Sequence, residues 1–235
     1  MSMMLASVRS LDEALIALDS GADLIDLKEP SRGALGALDH AAVRVCVQAI
    51  GGRRPVSATI GDIPSMDPLL MTDAVERMAA TGVDFIKIGF FAHPRAVECA
   101  HALSKAAGRA RLIAVVFADE SYDVALVDDL ARNGFAGAML DTAYKTGKSL
   151  RDWRSASELE EFVARGHERG LLTGLAGSLR RDDIAPLLAM RADYLGFRGA
   201  LCRGGERREI LDRLAFSCIR AALPRNSIRS RRAAA

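Results

Sequence analysis

Eight short β-branched or apolar runs recur along the chain, separated by longer segments with amphipathic, helical spacing. The runs are Met4–Val8, Leu24–Lys28, Val56–Gly61, Phe85–Phe90, Leu112–Phe117, Gly137–Thr142, Leu171–Ala176 and Tyr194–Gly199. Continuous apolar strands alternating with helices are the pattern of a parallel sheet with helices packed on it. Eight such units close a (β/α)₈ TIM barrel, the α/β fold expected here. A chain of 235 residues suits one barrel better than two domains. The reading is one catalytic barrel over residues 1–222 and a basic, arginine-rich tail over 223–235 that lacks an apolar face and is expected to be disordered.

The punctuation between runs supports this grammar. Helices are expected at Leu11–Ser20, Pro68–Thr81, Pro94–Ala107 and Glu206–Ala222, with Asp67 before Pro68 and Ser157 before Glu158 as capping residues. Gly21-Ala22-Asp23, Gly82-Val83-Asp84, Asn133-Gly134 and Ala192-Asp193 precede every second strand. There a left-handed glycine ends the helix and an aspartate turns the chain into the sheet. These turns lie at the amino ends of the strands and read as stability features, because chemistry in such barrels sits at the carboxyl ends.

Ionisable residues interrupt three of the apolar runs: Asp26 and Lys28 in the second, Lys87 in the fourth and Asp141 in the sixth. Ionised side chains are expensive to bury, so each needs a partner or a task. Asp26 and Lys28 are two apart and share one face of a strand, which directs a carboxylate and an amine into the same space. That arrangement resembles a Schiff-base site. An amine forms an imine only when neutral, which requires burial or a neighbouring cation, and Lys87 and Lys145 are the candidate neighbours. The plainer alternative makes Lys28 a barrel-core ion pair with Asp26 or Asp141. For Lys145, on a loop, the alternative is an ordinary solvated lysine.

Glycine gathers at the ends of the last two runs, in Gly174–Ser178 and Gly196–Gly199, with Gly204 and Gly205 beyond. The loops after the seventh and eighth strands bind phosphate in many barrels, through exposed backbone N–H groups and a helix start. Gly177, Ser178 and Gly199 are therefore candidate phosphate-binding residues, and Arg198, with Arg203, adds a charge-assisted donor. A small phosphorylated substrate follows.

Composition closes off other classes. A net charge of +2, without a basic stretch carrying interleaved aromatics, argues against a nucleic-acid partner. No apolar run approaches the ~18 residues that span a bilayer, and a strand begins at once with no basic leader, so a cytoplasmic location is expected. Cys46, Cys99, Cys202 and Cys218 are far apart and read as reduced thiols. Asp62, Asp119 and Asp141 lack metal-ligand spacing, so no metal is expected. His40, His93, His101 and His167 are dispersed and read as surface or packing residues, Trp153 as hydrophobic packing, and Tyr144 as part of a loop over the site.

Seven ordered blocks then match a known family. They are Leu24–Pro30, Gly33–Ala37, Val56–Asp62, Asp84–Gly89, Ala138–Lys148, Leu175–Leu179 and Gly196–Cys202. Together they resemble (5-formylfuran-3-yl)methyl phosphate synthase, from about the first strand to the last helix. The resemblance implies a (β/α)₈ barrel that converts two molecules of glyceraldehyde 3-phosphate into the furan aldehyde phosphate, with loss of one phosphate and two waters. That product leads to methanofuran, a one-carbon carrier. By position it makes Lys28 the imine-forming residue and Lys87 the proton acceptor, with Asp26, Asp141 and Lys145 as further site residues. No cofactor is implied, since the iminium is itself the electron sink.

Two other readings use the same residues. Another class I aldolase or a sugar-phosphate isomerase would suit the same fold and lysine, because a fold does not fix a chemistry. A non-catalytic barrel that binds a phosphorylated metabolite gives no reason for two lysines and an aspartate within strands. The partner expected is a small phosphorylated aldehyde, and a homo-oligomer is compatible with this reading.

Overall fold

The computed structural model describes residues 2–106, 110–144 and 146–224. Eight parallel strands close one barrel in sequence order, the eighth pairing with the first. The strands are β1 (Met3–Val8), β2 (Leu24–Leu27), β3 (Val56–Thr59), β4 (Phe85–Phe90), β5 (Arg111–Phe117), β6 (Gly137–Asp141), β7 (Leu172–Leu175) and β8 (Tyr194–Phe197). Around them run α1 (Leu11–Asp19), α2 (His40–Ile50), α3 (Pro68–Ala79), α4 (Ala96–Leu103), α5 (Leu126–Arg132), α6 (Leu150–Trp153), α7 (Ala156–Glu168), α8 (Arg181–Ala189) and α9 (Arg213–Ala222).

All eight expected strands are present. Several end one or two residues short of the apolar run, yet the ladder continues: the Lys28 and Ala176 N–H groups donate to Val8 O and Leu140 O. Three helix starts differ from expectation, the smallest difference being α4, which begins at Ala96 and not at Pro94. The cap of α7 is Ser155, whose hydroxyl and the Glu158 carboxylate form a capping box, so Ser157 lies inside the helix. Glu206–Leu211 is a loop, and α9 begins after Asp212, whose carboxylate accepts from Leu214 N and Ala215 N. A bridge between Cys202 and Leu211 holds that loop in place of a helical turn. At the α3 start Asp67 caps as expected, accepting from Leu69 N and Leu70 N. The tail beyond residue 224 lies outside the described residues.

The helix-to-strand turns carry a device that their sequence only hinted at. Gly21, Gly82 and Gly134 all have left-handed φ, as a helix-ending glycine should. The aspartates before the second, fourth and eighth strands accept an N–H near the start of the strand next door: Asp23 from Met4, Asp84 from Val56, Asp193 from Thr173. Carboxylates thus satisfy donors that would otherwise be orphaned at the barrel floor. At the eighth turn Arg191 takes the positive φ that glycine holds elsewhere.

Alternation along each strand separates two cores. One face packs the helices through residues such as Ala6, Ile25, Ile86, Ala114 and Leu195. The other fills the lower barrel with Leu5, Leu24, Phe85, Ile113 and Tyr194, as stacked interior layers require. Space there is tight around the glycines: a Cβ on Gly174 would lie 2.3 Å from the Tyr194 ring. Gly174→Ala is therefore expected to cost about 1–3 kcal/mol of stability through overpacking, read from the denaturation midpoint. The same change should cost less in a Tyr194→Leu background. Equal losses in both would show that the ring is not the obstacle.

Candidate active site

Above the apolar floor the barrel interior turns polar. Ser7, Asp26, Ser57 and Lys87 come inward from β1 to β4, at paired positions where Ser7 faces Asp26 and Asp26 faces Ser57. The Asp26 carboxylate is fully buried and fully engaged. It accepts from Ser57 Oγ at 2.6 Å and Ser7 Oγ at 2.8 Å, and it pairs with Lys87 Nζ at 3.1 Å. Burial alone would raise its pKa. The ammonium charges of Lys87 and Lys28 and the two serine hydroxyls outweigh that effect and hold the carboxyl below its ordinary value.

One step higher lies Lys28, its Nζ 3.9 Å from Asp141 Oδ2 and 3.5 Å from the Ala34 carbonyl. Asp141, at the end of β6, also accepts from the N–H of Thr142. Both lysines are almost wholly buried. Lys28, Lys87 and Asp141 nevertheless line a single cavity of about 510 Å³ that opens at the carboxyl ends of the strands. Asp26 stands behind it as the shared counter-charge. Lys145 lies outside the described residues.

Gly177, Ser178 and Gly199 line the same cavity. Gly177 has a φ of 112°, and Ser178 follows with a φ of 48°, a conformation uncommon outside glycine and typical of ligand clamps. A short 3₁₀ turn, Gly199–Leu201, begins directly after Arg198. The backbone here is suited to an anion.

Arg198 has a different place from the one its position suggested. Its guanidinium touches the cavity wall but all its donors are taken. Nε donates to Arg207 O, Nη1 to Ser7 O and Glu13, and Nη2 to Glu13 and Glu209 O. Glu13, buried on α1, also accepts from Arg9 N and Leu211 N. The pair ties α1 to the loop after β8 and shapes that loop from beneath. A second guanidinium of the same loop on the cavity wall is that of Arg207, half-buried, which donates from Nη2 to Gly33 O at 2.8 Å. Desolvation lowers its pKa, against the opposing charges of Asp141 and Asp62. Nothing in the sequence singles out Arg207, which lies beside Arg208 within Glu206–Ala222, the stretch expected to be helical.

Two aspartates considered for metal binding hold loops instead. Asp62 accepts from Ala34 N and Leu35 N, and Asp119 from Ala143 N and Tyr144 N. Among the described residues no group of three acidic, histidine or cysteine side chains is gathered closely enough for a metal. Among the same residues no helix is long and apolar enough to cross a membrane. Tyr144 is exposed, and Trp153 packs under Lys148, whose Nζ lies 4.7 Å from its ring centroid.

The buried cluster makes stability depend on acid. The Asp26 carboxyl is depressed on folding from 3.8, so its contribution is present above that value and is lost as pH falls through the lower folded value. Asp26→Asn should cost about 3–5 kcal/mol near neutrality by leaving Lys87 buried without its counter-charge. Denaturant titrations from neutral to strongly acidic pH should show the gap between wild type and variant narrowing only below pH 3.8. A constant gap would place the loss elsewhere.

Comparison with known proteins now gives the site its context. The 4-HFC-P synthase family model matches residues 4–219. A Methylorubrum extorquens protein provisionally named as (5-formylfuran-3-yl)methyl phosphate synthase is 47% identical over 89% of this chain and 86% of its own length. The (5-formylfuran-3-yl)methyl phosphate synthase of Methanopyrus kandleri is 39% identical over 87% of this chain and 91% of its own. Among solved structures, phosphoribosyl anthranilate isomerase from Thermus thermophilus superposes with a TM-score of 0.64 at 15% identity, covering 94% of this chain and 98% of that one. KGPDC from Streptococcus mutans does so with a TM-score of 0.64 at 11% identity, covering 94% and 96%. At such identities these two speak for the barrel alone. The sequence relatives, which match nearly end to end, decide more: the chain belongs to the (5-formylfuran-3-yl)methyl phosphate synthase family of enzymes.

Proposed function

We propose that the chain joins two molecules of glyceraldehyde 3-phosphate into (5-formylfuran-3-yl)methyl phosphate, with loss of one phosphate and two waters, through an imine on Lys28, as a step toward methanofuran. The observation that carries this reading is the pair of buried lysines on neighbouring levels of one barrel, sharing Asp26, beneath loops suited to phosphate.

In this proposal the neutral Lys28 amine adds to the aldehyde carbon, and the Lys87 ammonium gives its proton to the departing hydroxyl, so that water leaves and Lys87 is left a neutral base. The resulting iminium acidifies the adjacent carbon, and Lys87 takes its proton. Asp26, at hydrogen-bond distance, orients Lys87 and compensates the ammonium that forms. Asp141 stands 3.9 Å from Lys28 Nζ and compensates the iminium in the same way. Elimination of phosphate and attack on the second aldehyde follow, and ring closure gives the furan. Gly177, Ser178 and Gly199 hold the phosphate that survives in the product. Lys145 is carried in the proposal by family resemblance. The iminium is the electron sink, so no cofactor is assigned.

Triose phosphate alone should yield an ultraviolet-absorbing furan, and borohydride should trap a covalent adduct. Lys28→Ala is expected to abolish trapping. Lys87→Ala should still be trapped while turnover falls by about 10²–10⁴, the usual cost of losing a general base. Mass spectrometry that places the adduct on Lys87 with Lys28 unmodified would reverse the two roles. An aldol or isomer product without the furan chromophore would instead identify a different Schiff-base enzyme.

A further inference from the structure

The proposed reaction handles two phosphate groups with different fates, yet the amides of Gly177, Ser178 and Gly199 account for one. Arg207 is placed for the other. It arises from the loop after β8, faces the cavity, and reaches across to the loop after β2, where it donates to Gly33 O. The next carbonyl on that loop, Ala34 O, is the one 3.5 Å from Lys28 Nζ. One short segment therefore carries contacts to both the amine and the guanidinium. Asp62 locks that segment by accepting from Ala34 N and Leu35 N, and Gly33 leaves no room for slack, since a Cβ there would lie 1.8 Å from Asp62 Oδ2.

The loop that carries Arg207 is equally fixed. The Arg207 carbonyl accepts from Arg198 Nε, and Arg198 is clamped by buried Glu13. A guanidinium has five N–H donors in a planar fork. Arg198 commits its donors to the protein, whereas Arg207 has a single protein hydrogen bond among the described residues, to Gly33 O. Two neighbouring arginines thus divide the work: one braces the loop and one meets the cavity.

We propose that Arg207 binds the phosphate that leaves the Lys28-bound triose, while the β7 and β8 loop amides hold the phosphate that is kept. This rests on the reaction proposed above. In the step concerned, Lys87 removes the C2 proton from the iminium and an enamine forms. The enamine pair then moves to make the C2–C3 double bond and restore the iminium as the C3–O bond breaks. Phosphate departs with the electron pair of that bond. The charge gathering on its bridging oxygen is what a preorganised guanidinium stabilises. Arg198 and Glu13 are positioning residues in this scheme, because they act only through the loop.

The test has two arms. In the first, calorimetric titration with inorganic phosphate, which needs no turnover, compares wild type with R207M. Two sites in the wild type and one in R207M are expected, and superimposable isotherms overturn the assignment. In the second, R207M with glyceraldehyde 3-phosphate should still give the borohydride-trapped Lys28 adduct while phosphate release slows by about 10²–10³, the cost of losing one oxyanion donor. Release at the wild-type rate also overturns it. If R207M does not fold, R207K replaces it, with weakened binding at the same single site expected because lysine lacks the fork. A wild-type enzyme that releases no phosphate from this substrate sinks the reaction reading, and the titration then decides Arg207 by itself.

Discussion

A carboxylate with no exposure to solvent, Asp26, is the group on which the rest of this barrel depends. An isolated ion at that depth would be driven to neutrality or would unfold its surroundings. Here two serine hydroxyls and the Lys87 ammonium meet its oxygens directly, and Lys28 adds a second positive charge. The partners come from β1, β3 and β4, so the cluster exists only if these strands are in register with β2. A one-residue slip would turn Asp26 toward the helices and strand both lysines. Buried ion pairs seldom add much net stability against an apolar core. Their presence in the middle of a barrel is therefore better understood as a requirement of chemistry than of folding.

Above that cluster, side chains at strand ends fix the loops in pairs. Asp62 after β3 holds the loop after β2, and Asp119 after β5 holds the loop after β6. Glu13 and Arg198 secure the loop after β8 against α1. Each clamp uses a carboxylate that accepts two or more N–H groups, which is stronger and more directional than a neutral bond. Loops that carry function ordinarily cost precision, since they are the least constrained parts of a fold. Tying each to its neighbour recovers the close placement that the proposed imine chemistry and phosphate binding both demand.

Much of this was legible in the residues, and the failures have a common cause. Strands buried on both faces announce themselves as continuous apolar runs, so all eight were found, and an ionised residue inside such a run can only point into the barrel. Lys28, Lys87 and Asp141 were visible for that reason. Arg198 reads from its position as a phosphate donor, but its partner Glu13 lies 185 residues away, and sequence spacing says nothing of a contact that long. Glu206–Leu211 contains good helix formers, and the bridge from Cys202 to Leu211 and the Asp212 cap override that propensity. That same propensity hides Arg207. Local signals locate elements and inward-facing charges; which of two nearby arginines is free to meet a ligand is settled by distant partners.

The fold neighbours show why such distinctions matter more than the architecture. Barrels at 11–15% identity superpose on this chain over more than nine-tenths of its length. Glycine-bearing loops after the last two strands are a general way for such barrels to hold phosphate, and they place a substrate without saying what happens to it. What happens is decided one layer lower, by the groups beneath the bound carbonyl. In this chain that layer contains two amines at different depths around one carboxylate, and the proposed reaction uses one depth for covalent attachment and the other for proton transfer. Asp26 lies behind both, so adding a proton to one amine and a carbonyl to the other are not independent events. In the proposed reaction, a single buried carboxylate coupling two amines lets charge pass between the covalent and acid–base steps without solvent entering the barrel.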